Sequence, residues 1–174
     1  MKEVKIITEG KSFDDIVDQV EYAIYMNNDL IDAPLVHQFL PNGMYVREIF
    51  MPKGVWATSF IHAQYNPFFV LTGKFSLWTE EDGEQLIEAP QRGITVPGTR
   101  RILYMHEDTA FVTVHRTDIK PKDDSTEAMD EAVRLVEDQI GIPHVNKLLG
   151  GRLIKNVFTP VESELLETED INIY

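Results

Sequence analysis

The chain has 174 residues, of which 43 % are hydrophobic, enough to bury the core of one domain. Its 16 basic and 29 acidic side chains give a formal net charge of −13, which repels phosphate backbones and anionic lipid headgroups, so nucleic acid and membranes are poor candidate partners. The chain contains no cysteine, which excludes disulfides, thiolate metal sites and cysteine nucleophiles. Because no long apolar run occurs, we expect a soluble cytoplasmic protein.

Residues 1–34 are predicted to form an N-terminal strand and helix arm. Ser12 is a suitable N-cap, and Asp14 and Asp15 place acidic side chains in the first helical turn. The helix is expected to end near residues 27–28. Its apolar positions recur at helical spacing: Phe13, Ile16, Val17, Val20 and Ile24.

Residues 35–117 show a different pattern, in which short β-rich segments are separated by Pro, Gly and Asn. The predicted strands are 35–40, 44–51, 55–61, 68–71, 74–79, 85–88, 93–96, 101–105 and 110–116. Closely spaced strands with no helix between them predict an antiparallel sandwich or barrel.

Residues 118–174 are predicted to form a helical extension followed by an acidic tail. Ser125 suits a second N-cap, and Gly141 with Pro143 suits the end of that helix. The helix carries one apolar stripe: Met129, Ala132, Val133, Val136 and Ile140. An isolated helix of this length is marginal in water, so we expect the stripe to dock on the barrel or on a neighbouring subunit. The tail could be disordered by composition, since it is rich in Glu and Asp.

The segment 54–73 resembles the first cupin motif, which runs Gly, five residues, His-x-His, three or four residues, Glu, six residues, Gly. Gly54, Gly73 and the second histidine, His62, match it, whereas Phe60 stands at the first histidine and Asn66 at the glutamate. The turn Pro97-Gly98-Thr99-Arg100-Arg101 is similar to the start of the second motif. Arg101 takes the histidine position there, although an alignment anchored on the proline would select Ile102.

The resemblance implies a member of the cupin superfamily, with an RmlC-like jelly roll. The expected fold is mainly β, a single antiparallel barrel over 35–117 with an N-terminal helix and a C-terminal helical extension. The run from Pro97 through 106–109 to His115 also resembles small cupins encoded by bacteriophages. Those would carry a histidine-rich stretch at 62–66, where this chain reads His-Ala-Gln-Tyr-Asn.

The metal quartet that the resemblance implies would be Phe60, His62, Asn66 and Arg101. It offers one good ligand, and a guanidinium repels a cation. We therefore expect no cofactor, and a divalent metal is disfavoured, although other donor sets such as His62, Gln64 and His106 stay open.

Six residues are candidates for ligand binding: His62, Gln64, Asn66, Arg101, Tyr104 and His106. His62 could equally be an interior histidine satisfied by hydrogen bonds. Arg100 and Arg101 are adjacent, so one should face the barrel, and an inward Arg101 would need an anion or a carboxylate such as Glu48. The remaining histidines are expected to be structural: His37, His115 and His144.

Three functions compete, and an enzyme is the less favoured class. The first is a non-enzymatic cupin with a structural, interaction or small-ligand-binding role, in which His62 and Arg101 recognise an anionic group or simply fill the barrel. Such a protein would form a homo-oligomer or join a larger assembly, in the host cytoplasm or a virion if phage-encoded. The second is a metal-free enzyme resembling sugar-nucleotide epimerases, with His62 as base and Tyr104 as acid. The third is a divergent metal-dependent cupin enzyme.

Overall fold

A computed structural model describes residues 8–26, 31–32, 34–59, 61–141 and 157–160. Its helices are α1 (Phe13–Met26) and α2 (Thr126–Ile140). Its strands are β1 (Ile31–Asp32), β2 (Leu35–Leu40), β3 (Met44–Met51), β4 (Val55–Thr58), β5 (Asn66–Thr72), β6 (Lys74–Thr79), β7 (Gly83–Glu88), β8 (Gln91–Thr95), β9 (Ile102–Met105), β10 (Thr109–Arg116) and β11 (Val157–Pro160). Within these ranges no helix is long and apolar enough to cross a membrane.

The strands form two antiparallel sheets. The six-stranded sheet has the order β1-β11-β4-β9-β6-β7, and the five-stranded sheet has the order β2-β3-β10-β5-β8. The predicted fold class is confirmed: the chain is mainly β, with two antiparallel sheets, an N-terminal helix and a C-terminal helix.

The apolar core lies between the two sheets, because side chains alternate along each strand and one set from each sheet points inward. The five-stranded sheet contributes Met51 and Val70, and the six-stranded sheet contributes Phe75, Leu103 and Met105. These side chains fill one end of the interior. The other end is lined by polar side chains that are described below.

Gly73 makes the tight connection between β5 and β6. Its φ is +91°, and a Cβ at this position would lie 2.5 Å from the carbonyl oxygen of Asp108. A side chain would therefore be both strained and in collision, which gives a physical reason for the glycine that closes the motif at 54–73.

Helix α1 packs on the outer face of the six-stranded sheet. All five of its predicted apolar positions are buried, in one cluster with Trp56, Trp78 and Ile102. Ser12 acts as the predicted cap, since its hydroxyl accepts a hydrogen bond from the Asp15 backbone N–H at 3.2 Å.

Helix α2 covers the polar end of the barrel. It begins at the predicted cap, where the Ser125 hydroxyl accepts from the Ala128 N–H, and ends at Gly141. Val136 and Ile140 pack against the buried ring of Tyr45 on β3. The predicted docking of this helix is thus confirmed, with the barrel as its partner.

All nine predicted strands are present, with ends shifted by a few residues. The segment predicted as 55–61 is the least accurate, because β4 ends at Thr58. Strand β1 lies within the N-terminal strand and helix arm predicted over 1–34, for which no strand bounds were predicted. Strand β11 was not predicted, and it pairs with β1. Phe60, His144 and the acidic residues after Pro160 lie outside the described residues.

Candidate functional site: a buried polar cluster at one end of the barrel

The inward positions of the five-stranded sheet change from apolar to polar along the strands. On β3 the side chain of Ile49 points inward, and so do those of Arg47 and Tyr45, which lie nearer the start of the strand. On β10 the register sets Thr113 beside Arg47 and His115 beside Tyr45. The antiparallel ladder therefore collects polar side chains at the end that α2 covers.

Asn66 brings β5 into the same polar end. Phe68, two residues further along β5, pairs with Thr113. Continued by two residues, this antiparallel register places Asn66 opposite His115. Asn66 also pairs with Thr95 of β8, whose side chain is buried.

His62 enters the cluster from the loop between β4 and β5. Its backbone is fixed on two sides: its carbonyl accepts from the Gly98 N–H at 2.9 Å, and it forms a β-bridge with Gly141 at the end of α2. Its ring centroid lies 5.0 Å from that of His115. Both side chains are buried, so the two imidazoles share one environment without contact with bulk water.

Burial lowers the pKa of both histidines to about 3. For His62 the positive charges of Arg47 and Arg101 and the neighbouring His115 add to the effect of burial, and for His115 the Arg47 charge does so. The two rings are therefore neutral across the physiological range. A base with so low a pKa is weak, so neither ring suits proton abstraction at neutral pH.

Several buried polar atoms of the cluster have no hydrogen-bond partner in the described part of the chain. They are Asn66 Oδ1 and Nδ2, Thr113 Oγ1 and His115 Nε2. Asn66 is only 1 % exposed. Each such atom costs about 1–3 kcal/mol when left unsatisfied, and their concentration at one place points to a site that receives a polar group.

Arg47 and Arg101 supply positive charge to this region. The Arg47 guanidinium forms an ion pair with Glu137 of α2, with Nη1 and Oε1 3.7 Å apart. Over the described ranges no carboxylate lies within ion-pair distance of Arg101, and burial lowers the pKa of its side chain. Among the described residues the cluster thus holds two guanidinium groups and one carboxylate.

The side chain of Ile102, the first residue of β9, is buried in the α1 cluster on the outer face. Arg101 directly precedes that strand, and its positive charge acts on His62, which indicates that Arg101 is directed towards the polar end of the barrel. Arg100 faces α1 and is the arginine that holds several carboxylates.

The proposed pairing of Arg101 with Glu48 is not found among the described residues. Glu48 follows the buried Arg47 on β3 and points to the opposite, outer face of the sheet. The acidic partners belong to Arg100 instead. Its guanidinium lies 2.8 Å from Asp18 Oδ1 and 3.1 Å from Asp14 Oδ1.

His37 and Tyr45 extend the cluster towards β2. The Tyr45 hydroxyl and His37 Nδ1 are 2.6 Å apart, a strong hydrogen bond in which either group can donate, depending on the histidine tautomer. Burial raises the pKa of Tyr45 and lowers that of His37. The pair is therefore neutral, and its polar atoms are satisfied.

The six predicted ligand residues fall into two groups. His62 and Asn66 belong to the buried cluster and the half-buried Arg101 acts on it electrostatically, whereas Gln64 is exposed in the bend before β5. Tyr104 and His106 lie on the outer face of the six-stranded sheet. The Tyr104 ring packs 4.8 Å from that of Trp56, and His106 Nε2 is 2.8 Å from Ser76 Oγ.

This placement separates the proposed epimerase pair. His62 is inside the barrel, and Tyr104 is on the outside of a sheet, so the two cannot act on one substrate. The donor set of His62, Gln64 and His106 is divided in the same way. Within the described residues no group of three or more His, Asp or Glu side chains could hold a metal ion.

The cupin quartet also does not fit a metal centre by the chemistry of its members. His62 is an imidazole donor, but Asn66 offers only a neutral amide, and Arg101 brings a positive charge that cannot be removed. Phe60 lies outside the described residues and is apolar.

Sequence reasoning missed Arg47, Thr113, His115 and Glu137 as members of the site. The signal was present in the strand alternation, since Arg47 shares its parity with Ile49, and Thr113 and His115 share theirs with Phe111. A polar residue at a core position of an amphipathic strand requires a partner or a function. Glu137 had no such signal, because its contact comes from helix docking.

No protein-family profile matches the chain, and no curated protein matches it in sequence. Solved structures do resemble it. An RmlC-like cupin protein with a double-stranded β-helix fold from Methanocaldococcus jannaschii is 10 % identical, with a TM-score of 0.41, 49 % of this chain covered and 80 % of the other. A cupin domain from Schizosaccharomyces pombe is 16 % identical, with a TM-score of 0.41, 51 % of this chain covered and 63 % of the other.

A predicted oxalate decarboxylase from Thermotoga maritima is 14 % identical, with a TM-score of 0.41, 49 % of this chain covered and 80 % of the other. The structures to which this chain is similar are thus cupin proteins of mixed function. At these identities and TM-scores the likeness does not indicate an activity for this chain.

Proposed function

We propose that this protein is a non-enzymatic cupin that binds a small anionic ligand, a carboxylate in particular, in the polar end of its barrel. The observation that carries the proposal is the buried set of polar atoms without partners on Asn66, Thr113 and His115, next to two guanidinium groups. The same proposal places the protein in the cytoplasm, or in a virion if a phage encodes it.

Charge favours an anion as the ligand. The surface of the chain is strongly acidic, with a net charge of −13, yet Arg47 and Arg101 concentrate positive charge inside the barrel. Glu137 pairs with Arg47, and no ion pair of Arg101 is found in the part of the chain that the structure describes. A charge withdrawn from water is stabilised by a counter-charge, so a bound anion would offset the cost of the partial burial of Arg101.

Geometry favours a carboxylate. A guanidinium presents two parallel N–H groups that match the two oxygens of a carboxylate. The Asn66 amide adds a further donor, and the Thr113 hydroxyl adds another. His115 Nε2, on a neutral ring, can donate or accept according to its tautomer.

Under this proposal the residues of the cluster do not catalyse a reaction, for two reasons. The low pKa of His62 and His115 makes them poor bases, and the described tyrosine inside the barrel, Tyr45, is engaged with His37. What remains is a set of donors in fixed positions. Such a set recognises a ligand without transforming it.

Ligand binding is tested by thermal unfolding of the full chain with millimolar oxalate, succinate or phosphate, against chloride at equal ionic strength. A ligand at a hundred times its Kd stabilises the folded state by about 2.7 kcal/mol, which a melting curve detects readily. Stabilisation by at least one of the carboxylates supports the proposal. Equal melting temperatures in all four salts would overturn it.

The matched variants are Arg101→Met and Arg134→Met. Arg134 is a largely exposed arginine on α2 that pairs with Asp138, so its loss alters the net charge equally without touching the cluster. Arg101→Met should abolish the carboxylate-dependent shift, and Arg134→Met should keep it. A shift that survives in Arg101→Met would place the anion elsewhere.

A further inference from the structure

The outer face of the five-stranded sheet is apolar. Its outward positions hold six exposed large hydrophobic side chains, between 38 % and 59 % accessible, which we call the outer apolar face: Val36, Leu40, Phe50, Phe69, Leu71 and Ile94. Val112 and Val114 of the central strand β10 continue the face between them and are half-buried. Helix α1 covers the outer face of the other sheet, whereas neither described helix packs on this one.

The outer apolar face has the size of an interface. Five strands at about 4.8 Å spacing, each about 20 Å long, give a projected area on the order of 500 Å². The largest apolar patch on a typical monomer is about 300–600 Å², and such patches are commonly interaction sites. Accessible area exceeds projected area, so the face approaches the roughly 800 Å² that one partner buries in a stable complex.

The charges on this face differ from those of the whole chain. Its outward strand positions carry one acidic side chain, Glu48, and two basic ones, Arg92 and Arg116. The chain as a whole has 29 acidic against 16 basic residues. Two copies of this acidic protein would therefore repel each other least when they meet through this face.

The positions of Glu48 and Arg92 add a specific complementarity. One row of paired residues crosses the face from β2 to β8: Val36, Glu48, Val112, Phe69 and Arg92. Glu48 lies one strand beyond β10, and Arg92 lies one strand beyond β5. A two-fold axis that lies in the interface, parallel to the strands and midway between β10 and β5, is thus equally far from Glu48 and from Arg92. Rotation about this axis sets Glu48 of one copy against Arg92 of the other.

From this arrangement we propose that the outer apolar face is the interface of a symmetric homodimer, in which Val112 and Phe69 pack at the centre and two Glu48–Arg92 ion pairs flank them. An isologous interface of this kind uses the same patch twice and closes on itself. The proposal is independent of the ligand in the barrel, because inward and outward side chains of the sheet belong to different sites.

The first test measures the mass of the full chain in solution by light scattering and sedimentation at micromolar concentration. Wild type should have about twice the 20.0 kDa chain mass. Ile94→Asp should be monomeric, and Leu86→Asp should remain dimeric. Ile94 and Leu86 are both 59 % exposed, but Leu86 is on β7 of the other sheet, so the pair is matched for exposure and substitution.

A monomeric wild type would overturn the proposal, and so would a dimer that Ile94→Asp leaves intact or that Leu86→Asp dissociates. Deletion of residues 161–174 tests the alternative that the chain's own C-terminal segment covers the outer apolar face. The proposal expects the deleted protein to remain a dimer. A monomer that dimerises only after this deletion would show that the segment covers the face instead.

The second test uses the predicted ion pairs. Glu48→Arg or Arg92→Glu alone should raise the dissociation constant of the dimer, because each places like charges together. The double variant should restore it towards the wild-type value. Equal loss in the double variant would overturn the two-fold arrangement, and near-ultraviolet circular dichroism of each variant confirms that the barrel is folded.

Discussion

Arg47 on β3 and Glu137 on α2 form an ion pair at the polar end of the barrel, with Nη1 and Oε1 3.7 Å apart and both side chains less than a tenth exposed. The contact joins two residues that are 90 positions apart in the chain, one on a barrel strand and one on a helix that follows the barrel. Within the described residues, Glu137 is the only carboxylate that pairs with Arg47. It lies on α2, whose apolar stripe packs against the same end of the barrel. Helix docking and charge balance inside the barrel are therefore coupled.

Glu137→Gln is predicted to destabilise the fold, since it leaves the Arg47 guanidinium buried without its counter-charge. Loss of one partner of a buried ion pair costs about 3–5 kcal/mol. The control is Glu131→Gln, which removes an exposed pair with Lys122 and should cost less than about 1 kcal/mol. Urea unfolding of both variants measures the difference, and equal midpoints would contradict the role of Glu137.

Val136→Asp is predicted to undock α2. The Val136 side chain is fully buried against Tyr45, so a carboxylate there should cost about 3 kcal/mol or more. The neighbouring Leu135 is 40 % exposed, and Leu135→Asp should cost under about 1 kcal/mol, mostly through helix propensity. Thermal melts compare the two variants. If both lose the same stability, the stripe does not hold the helix.

The sequence predicted the fold well because its signals are local. Strand alternation and Pro/Gly breaks located the nine strands between residues 35 and 117, and the Ser12 and Ser125 caps located both helices. The bounds of β1 and the existence of β11 were not predicted, because the two strands have two and four residues and pair across more than a hundred positions of sequence. No local pattern can encode such a pairing.

The site was harder to predict because its members come from distant segments. The motif resemblance pointed to His62, Asn66 and Arg101, which the fold brings to the same end of the barrel. The other candidates Tyr104 and His106 lie on the outer face of the six-stranded sheet. The resemblance is silent on Arg100, whose partners lie about eighty residues earlier in α1. Contacts of that separation follow from packing and not from spacing.

Acid is predicted to destabilise the protein through His62 and His115. Burial, with the nearby arginine charge, lowers the pKa of both to about 3 in the folded state, from 6.5 in the unfolded chain. Between pH 6.5 and 3 the unfolded chain therefore binds protons that the folded one does not. The free energy of unfolding should fall as pH falls through this window, by up to about 1.4 kcal/mol per pH unit for each histidine.

The measurement is chemical unfolding at pH 7, 6 and 5 for wild type and for His62→Gln with His115→Gln. The double variant should show a flatter dependence, whatever its absolute stability. His106→Gln is the control, because His106 is only partly buried on the outer face and should contribute less. An unchanged slope in the double variant would mean that the two rings take up protons in the folded state.

The purified protein is predicted to contain far less than one transition metal per chain. The reason is the donor chemistry of the cluster. His62 and His115 offer two imidazoles with centroids 5.0 Å apart, but Asn66 adds only a weak amide oxygen, and the charges of Arg47 and Arg101 act against a cation at the same place. Elemental analysis after expression in metal-supplemented medium measures the content, and EDTA should leave the melting temperature unchanged.

The decisive comparison is between His62→Ala and His106→Ala, which remove one histidine inside the barrel and one outside it. Near-stoichiometric iron, manganese, nickel or zinc that is lost in His62→Ala and retained in His106→Ala would contradict the prediction. The polar end of the barrel would then be a metal centre and not an anion site.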